Sequence, residues 1–325
     1  MQTRRLGQSS LHTSVIGLGC NGFGSRIPPD NAARVIRAAL DEGVNFFDTA
    51  DVYGHAGSSE RILGEVLGSN RKNVLVATKF GRGLLPTARA PLSPVRFIEE
   101  SLEASLKRLG TDYIDLYQLH GPSGLDSLDE TDETLQRLVR SGKVRYLGYC
   151  NIGNKPFLSR LVKARSTGRE RFVSLQAECS LLSPAPLLFS DLAELADAGG
   201  ALLPFLALAG GMLTGLHLDR YVLPASSRLK SSPHIAERYV TEANFHRVRR
   251  LGEYAASRGR SLIELSFGWL LKNSVVPCVI AGASSPAQVA TNAAAGGWTL
   301  SDEEMQDVRE ILLAASGLSA CVLDS

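Results

Sequence analysis

The chain has 325 residues, 44% hydrophobic and 21% charged, enough apolar material for a sizeable core. Its formal net charge of +2 offers no broad basic surface for nucleic acid, and the clusters Arg4-Arg5 and Arg247, Arg249, Arg250 read as solvated faces. No run of about 18 apolar residues predicts a membrane span, and no apolar segment follows Met1–Gly7 to make a leader. Cys20, Cys150, Cys179, Cys278 and Cys321 contain no CxxC pair and read as reduced thiols of a cytoplasmic protein, with no metal site expected.

Taken in chain order, short apolar runs alternate with longer helical patterns. Strands are expected at Ser14–Leu18, Val44–Asp48, Val74–Thr78, Ile114–Leu119, Val144–Gly148, Val173–Gln176, Ala201–Phe205 and Val276–Ile280. Most are apolar almost throughout, as strands buried on both faces of a parallel sheet should be. Helices are expected where Ala32, Val35, Ile36, Ala39 and Leu40 share one face, and from Ser93-Pro94 through Ile98, Leu102, Leu106 and Leu109 to Gly110. Leu135, Leu138 and Val139 mark another before Gly142. Leu187–Ala198, Thr241–Ser257, Ser261–Leu271 with a capping box, and Asp302–Ala314 complete the set. Gly215–Glu237, rich in proline, serine and basic residues, is expected to be a long loop. Eight alternations predict an α/β fold, a (β/α)8 TIM barrel forming a single domain over residues 1–325. No GxGxxG follows an early strand, which argues against a doubly wound dinucleotide fold.

Chemistry in such a barrel sits where the strands end. Strand two ends on Asp48, strand three meets Lys79, strand four meets His120, strand five runs into Asn151, and strand six reaches Gln176. Ionisable residues closing three successive apolar strands should face one mouth. A carbonyl that accepts hydride develops negative charge on oxygen and needs a proton donor in a positive environment. Tyr53, five residues beyond Asp48, can donate. Lys79 is expected to lower its pKa from about 10, Asp48 to hold Lys79 charged, and His120 to hydrogen-bond the carbonyl.

At these residues the chain resembles the aldo-keto reductase family. Gly43–Gly54 with Ser59–Gly64 resembles the family's first signature, Val76–Lys79 its lysine strand, and Asp112–His120 its histidine strand, with similarity from about Arg5 to Leu313. The style is closer to bacterial and channel-β-subunit-like members. The resemblance implies a catalytic tetrad of Asp48, Tyr53, Lys79 and His120, and a dinucleotide extended across the barrel mouth. It implies cofactor contacts at Gly19, Cys20, Asn21 and Asp48, at Cys150, Asn151 and Gln176, at Phe205, Leu206, Ala207, Leu208 and Gly210, and at Gly282, Ser284, Gln288 and Asn292. Departures from the family pattern include Cys150 for serine, Phe205 for a larger ring, Leu206-Ala207 for a polar pair, and the lack of a basic residue near Gln288. The cofactor expected is NADP(H), with NAD(H) the alternative; Arg228 or Lys230 could serve the 2′-phosphate. The partner expected is a small carbonyl or alcohol substrate; oligomeric state is not readable. The alternatives are a cofactor-binding regulatory subunit and a Schiff-base aldolase using Lys79.

Overall fold

The computed structural model describes residues 1–82, 93–121, 129–166, 172–184, 191–215 and 227–314. Strands β1 (Thr3–Arg5) and β2 (His12–Ser14) form an antiparallel hairpin. Eight further strands make one parallel sheet: β3 (Ile16–Gly19), β4 (Phe46–Asp48), β5 (Leu75–Phe80), β6 (Ile114–Leu119), β7 (Val144–Cys150), β8 (Phe172–Glu178), β9 (Ala201–Phe205) and β10 (Val279–Gly282). Their spatial order is β10-β3-β4-β5-β6-β7-β8-β9. The outer two strands approach where Leu202 N–H of β9 donates at 2.8 Å to the carbonyl of Val275, just before β10, so the sheet curls into a nearly closed barrel.

Side chains alternate along each strand, and the inward set changes character with height. Low in the barrel lie Phe46, Ala77, Leu116, Tyr146, Val173, Ala201 and Cys278, one apolar cluster that Leu6 and Leu11 of the hairpin cap from below. Phe46 and the Cys278 thiol fill the space beside Gly17, where a Cβ would stand 2.9 and 2.8 Å from them. Two residues higher on β4, β5 and β6, the same alternation brings Asp48, Lys79 and Gln118 inward, buried. The strands therefore convert an apolar floor into a polar mouth at their C-terminal ends.

Helices cover the outside, with one contiguous core between them and the sheet. The helix Pro94–Leu109 starts where Ser93 Oγ accepts from Arg96 N–H and stops at Gly110, φ 61°. The helix Leu262–Leu271 opens on the expected capping box of Ser261 and Glu264. Ser58–Leu67, Asn154–Ser166 and Pro286–Ala295 are additional helices.

Several sequence expectations shift. The last strand starts at Val279 rather than Val276, because Pro277 has no N–H to enter the ladder. Ser14 belongs to the hairpin instead of the first barrel strand. The stretch Gly215–Glu237 is not one loop: Arg228–Ser231 and Pro233–Tyr239 are short helices, capped by Ser227 and led by Pro233; residues 216–226 lie outside the described residues. The expected helix Leu187–Ala198 is described only as Asp191–Asp197. No helix among the described residues is long and apolar enough to cross a membrane. Cys20, Cys150, Cys179 and Cys278 are buried and not joined in disulfides; Cys321 lies outside the described residues.

Candidate active site

The four residues expected at the strand ends converge. Lys79 Nζ donates to Asp48 Oδ2 at 2.7 Å, to the Thr49 carbonyl at 2.9 Å and to Tyr53 Oη at 3.3 Å, which uses all three ammonium donors. The Tyr53 and His120 rings meet edge to face, centroids 5.5 Å apart. Lys79 is 0% exposed, Asp48 and His120 3%. Burial opposes the charge on Lys79, but Asp48 and then Tyr53 outweigh it, so its pKa is raised and it remains an ammonium ion. That argues against a Schiff-base lysine, which must be neutral to attack.

Tyr53 differs from expectation. Burial raises its pKa above 10, and the opposing pull of Lys79 does not overcome this because Asp48 already offsets that ammonium charge. The resting phenol is therefore a firmly protonated donor rather than a partly ionised one. His120 is held neutral: burial, then Lys79 and Arg82, push its pKa down to about 2. Its Nε2 lies 3.5 Å from Arg82 Nη1, and its Nδ1 is buried without a partner.

The residues expected to hold a dinucleotide line the same end of the barrel. Asn151 (φ 58°), Leu206 (φ 53°) and Ala209 (φ 48°) follow β7 and β9 in the left-handed region, where a non-glycine residue is strained. Gly210 and Gly211 continue with φ 69° and 113° inside the turn Ala209–Thr214. These three strained residues lie at the ends of β7 and β9, where Asn151 is exposed and Phe205 half-buried. Gln176 accepts from Gln118 Nε2 at 3.4 Å, and Gln176 N and O stand in the ladder, its carbonyl taking Asn151 N–H at 3.0 Å. Gly282, Ser284, Gln288 and Asn292 cluster at the start of the helix Pro286–Ala295. Gln288 Oε1 accepts from Ser284 N–H at 2.7 Å, and Asn292 Nδ2 donates to the Gly282 carbonyl at 3.3 Å. A Cβ on Gly282 would meet nothing within 4 Å, leaving an open approach.

Not every expected contact offers a side chain. Cys20 is wholly buried with Sγ on the Leu18 carbonyl at 3.6 Å, and Cys150 and Ala207 are each 2% exposed, so these positions present little but backbone. Asn21 and Gly19 stay half-buried. Arg228 is half-buried, and the charges of Arg26, Tyr53, Glu178 and Tyr239 act on it; Lys230 is exposed. Sequence reading missed Gln118, whose alternation with Leu116 and His120 was a usable signal. It also missed the Thr49 carbonyl and the Arg82 contact with His120. Behind the site, Thr78 Oγ1 and Arg108 Nε both donate to buried Glu60 at 2.6 Å. Near it, burial and Glu60 raise the Asp51 carboxyl to about 7. A cleft of about 790 Å³ lined by Arg71, Lys107 and Tyr113 lies at the opposite end of the barrel, away from this chemistry. No cluster of metal-binding side chains occurs among the described residues.

A nearly closed parallel barrel with a buried lysine–aspartate pair under a tyrosine and a neutral histidine defines a barrel oxidoreductase of the aldo-keto type. The family model "Aldo/keto reductase family" matches residues 15–313, and the chain belongs to that family. It is 30% identical over 319 residues to an L-glyceraldehyde 3-phosphate reductase of Escherichia coli O157:H7, covering 95% of this chain and 91% of that one. It is 31% identical over 299 residues to "Probable voltage-gated potassium channel subunit beta" of Oryza sativa subsp. japonica, with 90% of each covered. Among solved structures it resembles a holo-form aldo-keto reductase of Bacillus halodurans, with TM-score 0.75, 30% identity and 96% of each chain covered.

Proposed function

We propose that this chain reduces a small aldehyde or ketone, or oxidises the corresponding alcohol, with NADP(H), and that Tyr53 is the general acid and base. The observation that carries this reading is the single buried ammonium of Lys79 joined at once to Asp48 and to the Tyr53 hydroxyl. A reduced nicotinamide bound at the edge formed by Asn151, Gln176 and Phe205 would supply hydride to the carbonyl carbon. Tyr53 gives its proton to the carbonyl oxygen as negative charge grows there. An alkoxide is a much stronger base than a phenolate, so a raised resting pKa does not oppose this transfer. Lys79 then holds the phenolate, and Asp48 holds Lys79 in place. His120, neutral, orients the carbonyl oxygen by donating from Nε2 once that nitrogen carries the proton.

The preference for NADP(H) rests on the family's habit and on Ser284 and Gln288 as polar partners for a 2′-phosphate; the absence of a basic residue at Gln288 keeps NAD(H) as the alternative. Similarity to the rice channel subunit favours a second reading, a cofactor-binding regulatory subunit with slow turnover. The complete set of Tyr53, Lys79, Asp48 and His120 favours catalysis. The test is Tyr53→Phe. Carbonyl reduction should fall by about two to four orders of magnitude, while the dissociation constant for NADPH, read by fluorescence titration, stays within about threefold. Substantial remaining turnover would remove Tyr53 as the proton donor.

A further inference from the structure

Arginine has donors only, so the Arg82 contact with His120 is a hydrogen bond only when Nε2 is bare and Nδ1 carries the proton. That is the wrong tautomer for donating to a carbonyl. Whatever substrate enters must draw Arg82 away before His120 can take part. Arg82 is exposed, and among the described residues no carboxylate pairs with it. Arg228 adds a second guanidinium within electrostatic reach of Tyr53. It is half-buried, its Nε is enclosed without a partner, and exposed Arg26 adds like charge nearby. The carboxylate closest in influence, Glu178, is already engaged by Arg238 Nη2 at 2.8 Å and by the Tyr239 hydroxyl. Asp48 is spent on Lys79. Arg82, just after β5, and Arg228, at the start of its short helix, thus bring two guanidinium groups into reach of His120 and Tyr53, with no free acid among the described residues to answer them. Such an arrangement favours an anion on the incoming molecule.

We propose that the carbonyl substrate carries a phosphate or carboxylate, and that Arg82 leaves His120 to receive it, with Arg228 lending the second positive group. The proposal rests on the reductase reading above. It makes Arg82 a specificity-determining residue: charge on the substrate both binds and releases His120.

The test compares two matched aldehydes, a four-carbon aldehyde ending in a methyl group and its counterpart ending in a carboxylate, together with glyceraldehyde and its 3-phosphate. In the wild-type chain kcat/KM for each charged member should exceed its neutral partner by about tenfold or more, and added salt should shrink the difference. Arg82→Gln should cut that ratio by about tenfold, mainly through KM, and Arg82→Lys should restore part of it. Calorimetry with malonate and inorganic phosphate supplies a readout without turnover, and Arg82→Gln should weaken both. Equal kcat/KM for charged and neutral partners would overturn the proposal. So would a variant whose NADPH affinity falls while the substrate ratio holds, which would assign the anion to the cofactor's own phosphates. If no aldehyde turns over while NADPH binds, the reductase reading fails, and the calorimetric arm alone decides whether Arg82 holds an anion.

Discussion

Removing one partner of the Lys79–Asp48 pair separates its structural role from its chemical one. Lys79→Met deletes an ammonium that is 0% exposed and leaves Asp48, 3% exposed, with one oxygen already unpartnered and the other newly so. An uncompensated buried charge costs about 3–5 kcal/mol. In a domain of this size that lowers Tm by roughly 2 °C per kcal/mol, or about 6–10 °C. Asp48→Leu alone should cost a similar amount, because the ammonium then keeps only the Thr49 carbonyl and the Tyr53 hydroxyl. The double variant Asp48→Leu/Lys79→Met removes both charges and should recover most of the loss, since apolar replacements of a buried pair are often close to neutral. It should still be inactive, because nothing then stabilises the Tyr53 phenolate. The assay is thermal and denaturant unfolding followed by circular dichroism, with turnover measured on the same samples. A double variant as unstable as the sum of the singles would show that the two charges are not coupled, and the reasoning about this pair would fail.

Gln288→Arg should tighten NADPH about two- to tenfold by adding charge beside Ser284; a titration showing no change or weaker binding would place the 2′-phosphate elsewhere. Asp51 supplies a pH test. Burial and the neighbouring Glu60 raise its carboxyl from the ordinary 3.8 to about 7 in the folded chain. Between those values the folded chain keeps a proton the unfolded chain has lost, so wild-type stability falls as pH rises through the window. The ceiling is about 4 kcal/mol, and partial solvation lowers the expectation to about 1–3 kcal/mol. Asp51→Asn escapes this loss, so its stability relative to wild type should improve between pH 4 and pH 8; a pH-independent difference would refute the raised carboxyl.

The barrel was legible because its strands are apolar on both faces and short, while the intervening helices carry caps and stripes. Ser93-Pro94 marked one helix, and Ser285-Pro286 is the same signature, available but unused. The helix Ser58–Leu67 had no such mark: its N-cap is Gly57 at φ 72° with no side-chain cap. Asp48, Lys79 and His120 were readable from strand ends because alternation fixes which way they point. Tyr53 and Arg82 lie beyond the strands, where chain direction depends on loop packing. The sequence could name Arg82 but not its place on His120. The state of Tyr53 was misread because burial, a property of the whole mouth, outweighed the one neighbour that could be inferred.

The most direct measurement follows the hydride itself. NADPH carrying deuterium at the transferable C4 position is mixed with the chain and a small aldehyde, and the product is examined by mass spectrometry. Reductase chemistry predicts deuterium on the former carbonyl carbon of the alcohol with the wild-type chain and its loss with Tyr53→Phe. Bound NADPH with no label transferred to any carbonyl offered would contradict that chemistry.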